Sequence, residues 1–399
     1  MSRPRRVEGM ARRSFLLGGL GAATLVVGSA WHQSVLAERF HQDWTALPKG
    51  RGPLPVIPVF DARKVGPVGH AQARRLRMNA LQDACIGPLT PAAAALLHVP
   101  EAMARRWLSH SQSPYSGEVE EIAAIAGRPG MYLLNSSYEW GCTSLAAPSP
   151  SGTSARLLRT VDWAMDGLGR YVELARQDGR AGEYLNVTWP GAVGVVTAMA
   201  PGRFAAAINY APNRSMFGSK LSDRLNNLAI AADTYANVSD PPAAHVLRMV
   251  FEEARTFEEA RTLLEKLPIA KAAIFTLVGV EPAATCVIER DRRLFKTKTG
   301  IASAANAWRY SSFPGEWRAV GGDDDDPRGD NDERCDVIET FAGKPVEDFE
   351  WVMDPILNGG TRLAVEADPG NAHIRVRGYE ESDDGETAEP VTEILDYRA

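Results

Sequence analysis

Only 4 cysteines and 7 histidines occur in 399 residues, and that scarcity removes several classes of protein at once. Cys85, Cys142, Cys286 and Cys335 stand far apart without CxxC spacing, which argues against a structural zinc site. No HExxH pair occurs and the histidines are scattered, so no His ligand set is visible. GxSxG and GxxxxGK[ST] are missing as well; "GTSAR" at 152–156 ends in arginine. An excess of basic charge is also lacking. The formal charge is −6, the wrong sign for a phosphate backbone, so no nucleic acid partner is expected. Beyond residue 31 no stretch is long and apolar enough to span a bilayer. What remains is ordinary globular composition, 45% hydrophobic and 24% charged, enough for one large core or two smaller ones.

Residues 1–37 read as a targeting segment rather than as part of the fold. Five arginines crowd the start, and an uncharged run follows from Ser14 to Trp31. Arg12-Arg13 ahead of Ser14, Phe15 and Leu16 resembles a bacterial twin-arginine export signal, although Ala11 and Leu17 depart from its usual flanks. Val35-Leu36-Ala37 suits a small-residue cleavage site, and Gly28-Ser29-Ala30 is a rival. Export to the periplasm or beyond is therefore expected, with an uncleaved anchor as the alternative. Without the five Arg and one Glu of this segment the formal charge falls from −6 to −10. In an oxidising compartment one disulfide could form among Cys85, Cys286 and Cys335, and the sequence does not choose it.

The body divides by texture. Residues 38–141 carry one strand-like run, "LPVIPVFDA", then helical patterns with breaks at Gly87-Pro88 and before Pro100, and a short helix at 117–127 stopped by Gly127. After Cys142 come short strands: "CTSLAA", "ARLLRTVDWA", "RYVELARQ", "EYLNVTWPGAVGVVTAMA" and "RFAAAINYA". Residues 217–266 turn helical. Strands return with "AAIFTLVGV", "ATCVIERD", "RRLFKTKT" and "GIASAANAW". Short helices are expected around "DERCDVIETFA" and "DFEWVMDPILN", and a last strand pair in "TRLAVEAD" and "AHIRVRG". Strands, then helices, then strands argue for an α+β layered domain over 142–379. The acidic tract "GGDDDDPRGDND" (321–332) lacks EF-hand spacing and reads as a solvated loop. Residues 380–399 form a polar tail, disordered over "EESDDGETAEP".

"YLLNSSYEWGCTSLAAP" sets Cys142 after a glycine among apolar residues. An inert core thiol is the bland reading, since free cysteine is among the most buried residue types. The sharper one treats Cys142 as a chain N-terminus. Its α-amino group, with an ordinary pKa of about 7.7–8.0, would then act as general base for its own thiol. Such a nucleophile calls for a cation, a carboxylate beside the amine and an amide donor for the oxyanion. "RTVDW" places Arg159 and Asp162 17 and 20 residues after Cys142, one hairpin away. The pairing would return Arg159 beside Cys142, with Asp162 past the strand's end. "AANAW" offers Asn306. A plain ion pair and a turn asparagine are the bland counterparts.

In order, "EIAAIAG…LLNSSYEWGCTS", "RTVDW", "WPGAVGVVTAMAPGRFAAAINY", "AANAW" and "DNDERCDVIE" resemble the cysteine N-terminal-nucleophile amidases of the acid ceramidase and N-acylethanolamine acid amidase type. Choloylglycine hydrolases and penicillin acyltransferases are more distant relatives. The resemblance implies a four-layer αββα sandwich behind a helical N-terminal segment, with no metal or organic cofactor. It implies that Cys142 is exposed by self-cleavage at Gly141–Cys142, with glycine leaving the carbonyl unobstructed and tolerating strained angles. Arg159 would steady the thiolate, Asp162 hold the α-amine and Asn306 donate to the oxyanion. Asn209-Tyr210 matches a family Asn-Glu, where a backbone N–H completes the oxyanion hole, and Arg334 matches a family arginine near the site. Trp140, Trp163, Trp189 and Trp308 are candidates for an acyl pocket or for core. The expected activity is hydrolysis of a non-peptide C–N bond in an N-acylated small molecule. Membrane association would come through an uncleaved signal or a lipid substrate. An acyltransferase of the same fold and a non-catalytic lipid-binding envelope protein remain open alternatives.

Overall fold

Strand segments such as "ARLLRTVD" and "FAAAINY" carry small or apolar residues at consecutive positions, which suits strands covered on both faces. In the computed structural model that is where they lie. The structure describes residues 53–86, 91–136, 141–214, 230, 233–322, 326, 328–383 and 385–399; residues 1–37 and Trp140 fall outside them. Two sheets stack face to face. The first has eight strands in the order β1-β4-β5-β6-β7-β9-β10-β11, where β5 is Gly182–Thr188 and β6 is Thr197–Ala200. The second has seven, β12-β2-β3-β14-β15-β16 with β17 beside β15, where β14 is Thr361–Asp368, β15 His373–Glu381, β16 Ala388–Pro390 and β17 Leu395–Arg398. A separate pair joins β8 (Asn213–Arg214) to β13 (Trp317–Arg318). The strands that matter below are β1 (Val59–Asp61), β2 (Gly141–Pro148), β3 (Ala155–Asp162), β4 (Glu173–Gly179), β7 (Phe204–Tyr210), β9 (Ala273–Gly279), β10 (Thr285–Arg290), β11 (Phe295–Thr299) and β12 (Ala302–Ala304). All ladders are antiparallel except β1 on β4.

Alternation decides what each face of β7 meets. Phe204 stacks on Phe251 of the helix Ala243–Glu253, with ring centroids 4.7 Å apart. Asn209, on the opposite face, meets Ser144 of the second sheet. That inner face also carries Ala205 and Ala207, small side chains that let the sheets approach closely. The helix Phe257–Lys266 covers the same outer face, its start capped by Thr256 Oγ1 accepting from Glu259 N. The second sheet is covered by the helix Asn331–Glu339 and by the segment around Phe349, Trp351 and Ile356, which joins Leu145, Leu158 and Ala364 in one buried cluster. Helix, sheet, sheet, helix is the expected four-layer sandwich.

The N-terminal helices Gly66–Ala73, Arg75–Ile86, Pro91–His110, Ser116–Ala126 and Met131–Ser136 form a satellite cluster around Trp107, Val119 and Ile122. The helix at 116–126 ends as its glycine predicts, with Gly127 at φ 67°. Three expectations fail. The helix from Pro91 runs through Pro100 without a break. The stretch around "DFEWVMDPILN" is a chain of turns, with Asp348 and Phe349 at positive φ. The polar tail is ordered: Ala388–Pro390 and Leu395–Arg398 are strands β16 and β17 on β15, because the edge of β15 offers backbone partners that polar composition conceals. The breaks at Gly87-Pro88 and most of the helix expected after residue 217 lie outside the described residues.

Candidate active site

The tight β2–β3 hairpin sets the site. Its register pairs Gly141 with Asp162, Cys142 with Val161 and Ser144 with Arg159. Cys142 and Arg159 thus share a face on the diagonal, and Arg159 Nη2 reaches Cys142 Sγ at 3.1 Å while also donating to the Ile208 carbonyl at 2.8 Å. Asp162 is the last residue of β3, not beyond it, because pairing persists to the first residue of β2. A Cβ on Gly141 would sit 3.0 Å from Asp162 Cβ. Closeness to the carboxyl-bearing chain is one reason for glycine there.

Asn306 follows β12, which pairs with β2, so it arrives from the other flank. Its Oδ1 accepts from the Cys142 N–H at 2.8 Å, and its Nδ2 donates to the Tyr210 carbonyl at 2.8 Å. The amide donor expected for an oxyanion is therefore engaged with backbone in the uncut chain. Arg334 lies on the helix Asn331–Glu339 and donates to the Cys142 carbonyl at 2.9 Å and Thr143 Oγ1 at 3.0 Å; it stands 3.6 Å from Asp162 Oδ2. Asp330 receives its Nε at 3.0 Å.

Two residues that the sequence reading did not single out complete the frame. Asn331 Oδ1 accepts both from Asn306 N and from Arg334 Nη2, each at 2.7 Å. Thr361 Oγ1 donates to Asp162 Oδ1 at 3.1 Å. The three-residue spacing of Asn331 and Arg334, one face of a helix, was a usable signal; nothing local marked Thr361.

Cys142, Arg159, Asp162, Asn306 and Arg334 are all buried. Burial pushes the Cys142 thiol up to about 11, against the pull of the Arg159 cation, the Tyr210 backbone N–H and Arg334. Asp162 is likewise raised by burial, with Arg334 and the Thr361 hydroxyl acting the other way. Burial also lowers the Arg159 guanidinium from its ordinary value, with Cys142 and Asp162 acting the other way. In the uncut chain desolvation outweighs the neighbouring cation, and the thiol stays protonated at neutral pH.

Tyr210 and Asn209 separate. The Tyr210 backbone N–H faces the sulfur, whereas the Asn209 side chain donates to Ser144 Oγ and to the Ala304 and Ala305 carbonyls and braces the sheets. A cleft beside them is lined by Trp107, Ser136, Tyr210, Pro242 and Lys271 among others. Trp189 and Trp308 are core residues: Trp189 donates to Leu168 O, and Trp308 packs on Phe313 and Trp317. Trp163 is half-buried against the main core. Cys85, Cys286 and Cys335 are separate free thiols. Among the described residues no three His, Cys, Asp or Glu side chains gather as metal ligands, and no helix is long and apolar enough to cross a membrane.

No family model matches the chain. Over 216 residues it is 24% identical to a probable acid ceramidase of Caenorhabditis elegans, covering 49% of this chain and 52% of that protein. Over 274 residues it is 23% identical to acid ceramidase of Bos taurus, covering 62% and 66%. This chain is similar to the acid ceramidases. It spans between about half and two thirds of the length of these curated relatives. Among solved structures, a C. elegans ortholog of N-acylethanolamine-hydrolyzing acid amidase superposes with TM-score 0.43 at 17% identity, over 57% of this chain and 93% of that one. A conjugated bile acid hydrolase of Clostridium perfringens gives TM-score 0.35 at 10% identity, over 65% and 97%.

Proposed function

We propose that this chain is a self-processing amidase that hydrolyses the C–N bond of an N-acylated small molecule through a thioester on Cys142. The observation that carries the reading is the convergence on one residue: Arg159 on its sulfur, Asn306 on its N–H and Arg334 on its carbonyl. A core thiol needs none of these. The similarity to acid ceramidases supports amide chemistry, and ceramide-like or other lipid amides are the substrate class we favour. Export rests on residues 1–37 alone.

In processing, the Cys142 thiol attacks the Gly141 carbonyl and the acyl group moves from nitrogen to sulfur. Water then cleaves the thioester, leaving a carboxylate on Gly141 and a free amine on Cys142. That amine falls where Asn306 Oδ1 already accepts and beside Asp162, the strand partner of Gly141. In turnover the amine takes the thiol proton, and the sulfur attacks the substrate carbonyl. The Tyr210 N–H, which faces the sulfur, would donate to the oxyanion. The ammonium next protonates the leaving amine, and water releases the acid. Arg159 favours the thiolate as it forms.

N-terminal sequencing and mass spectrometry of the purified protein, before and after incubation at mildly acid and neutral pH, test this. Two associated chains are expected, the second beginning at Cys142. A fully active chain with Gly141–Cys142 intact would end the mechanism. Among substrates, kcat/KM should rise roughly fourfold for each acyl CH₂ until the pocket is full; strict preference for peptides would refute the lipid-amide reading.

A further inference from the structure

The β10–β11 hairpin is basic in an acidic protein. Arg292, Arg293, Lys296 and Lys298 fall within seven residues, all exposed. The one carboxylate in the turn, Asp291, is used internally: its Oδ1 accepts from Arg293 N at 2.6 Å and Leu294 N at 2.5 Å, which fixes the shape of the tip. Arg292 pairs with Asp240 at 3.0 Å. Among the described residues Arg293, Lys296 and Lys298 have no acidic partner. Between the basic residues stand Leu294 and Phe295, 48% and 46% exposed, with β11 the last strand of its sheet.

Sheet register shows where this tip points. Tyr210 pairs with Ala273, Ala273 with Arg290, and Arg290 with Phe295. The row therefore runs from the N–H that faces Cys142 straight to the hairpin tip. Three strand spacings separate them, about 14 Å. The cleft lined by Tyr210, Lys271 and Ala273 lies at the same end of the sheet.

We propose that the tip at Arg292–Lys296 docks this protein on an anionic lipid surface, with Leu294 and Phe295 entering the headgroup boundary and the active-site end of the first sheet turned toward the bilayer. The occupant is argued from charge and apolar exposure together. Basic side chains are drawn to anionic headgroups, and half-exposed leucine and phenylalanine gain by leaving water. A nucleic acid would meet the same cations but would offer Leu294 and Phe295 no apolar layer to enter. The proposal deepens the lipid-amide reading by supplying the route from membrane to thiol. Its test reads binding, so the two can fail separately.

Hydrogen exchange with mass spectrometry on the full chain tests it peptide by peptide, which separates the hairpin from any contact made by residues 1–37. Vesicles of phosphatidylcholine containing phosphatidylglycerol should protect the amides of the hairpin tip, and phosphatidylcholine alone should not. Raised salt should reverse the protection. The Cys142→Ala chain should show the same protection as wild type. Arg293→Glu with Lys296→Glu should weaken the hairpin's contribution about 30-fold or more, and Leu294→Ser with Phe295→Ser should lose protection without losing turnover on a water-soluble amide. A hairpin left unprotected while vesicles bind elsewhere would overturn the proposal. So would equal protection by neutral vesicles, by duplex RNA, or by self-association without lipid.

Discussion

Two of the charge clusters among the described residues differ in what they enclose. One surrounds Cys142. The other surrounds Glu173 on β4, whose carboxylate meets His70 Nε2 at 2.9 Å, Arg77 Nε at 2.8 Å and Arg74 Nε at 3.5 Å. In the second cluster all three cationic or titratable partners precede Cys142 in sequence, while Glu173 follows it. They therefore tie the N-terminal helices to the sandwich across the proposed cut. The first cluster holds a thiol among donors aimed at one backbone unit; the second closes on a single carboxylate. Burial and charge alone do not mark an active site. What distinguishes the Cys142 cluster is a reactive atom among groups that can exchange roles when a bond breaks.

Substitutions at the two clusters should separate accordingly. The largest effect is expected from Cys142→Ala, which should abolish hydrolysis and self-cleavage together, since one sulfur performs both; intact turnover by this variant would remove the nucleophile. Asn306→Ala comes next, with kcat lower by roughly 10²–10³ if the asparagine serves the amine or the oxyanion; steady-state kinetics within a few-fold of wild type would show a purely structural tie.

Arg159→Gln should act through acidity. In the uncut chain the thiol is pushed up to about 11 by burial with Arg159 pulling it down. Alkylation of Cys142 should therefore quicken as pH rises toward that value, and the variant should alkylate more slowly at each pH below it. Identical rate profiles would count against the role. The smallest effect on activity belongs to Glu173→Gln. It takes the carboxylate from half-buried Arg77 and buried His70 and should cost about 3 kcal/mol of stability, read as a lower Tm and looser association of the cleaved chains. Here kcat at a permissive temperature should hold. A large fall in kcat with Tm unchanged would show that the two clusters are coupled.

Much of the β2–β3 hairpin was legible beforehand. Cys142, Arg159 and Asp162 lie within 21 residues, and a hairpin of that length has few registers that bury its apolar face. Arg334 was located by resemblance and Asn306 was offered as an amide donor, 192 and 164 residues from Cys142, distances at which spacing says nothing about contact. The ordered carboxyl-terminal strands were misread because polar composition reports the cost of burial and not the presence of a sheet edge that needs partners.

By itself, then, the sequence determined most of the strand segments, the hairpin that brings a cation to a thiol, and the glycine before it, because these depend on alternation, turn length and local sterics. Tertiary structure alone decided that Asn306 turns its oxygen to the Cys142 N–H, that Asn331 and Thr361 hold the frame, and that the thiol is raised despite Arg159. The physical reason is common to all three. Hydrogen-bond direction and desolvation are set by every group packed around an atom, and most of those groups come from distant parts of the chain.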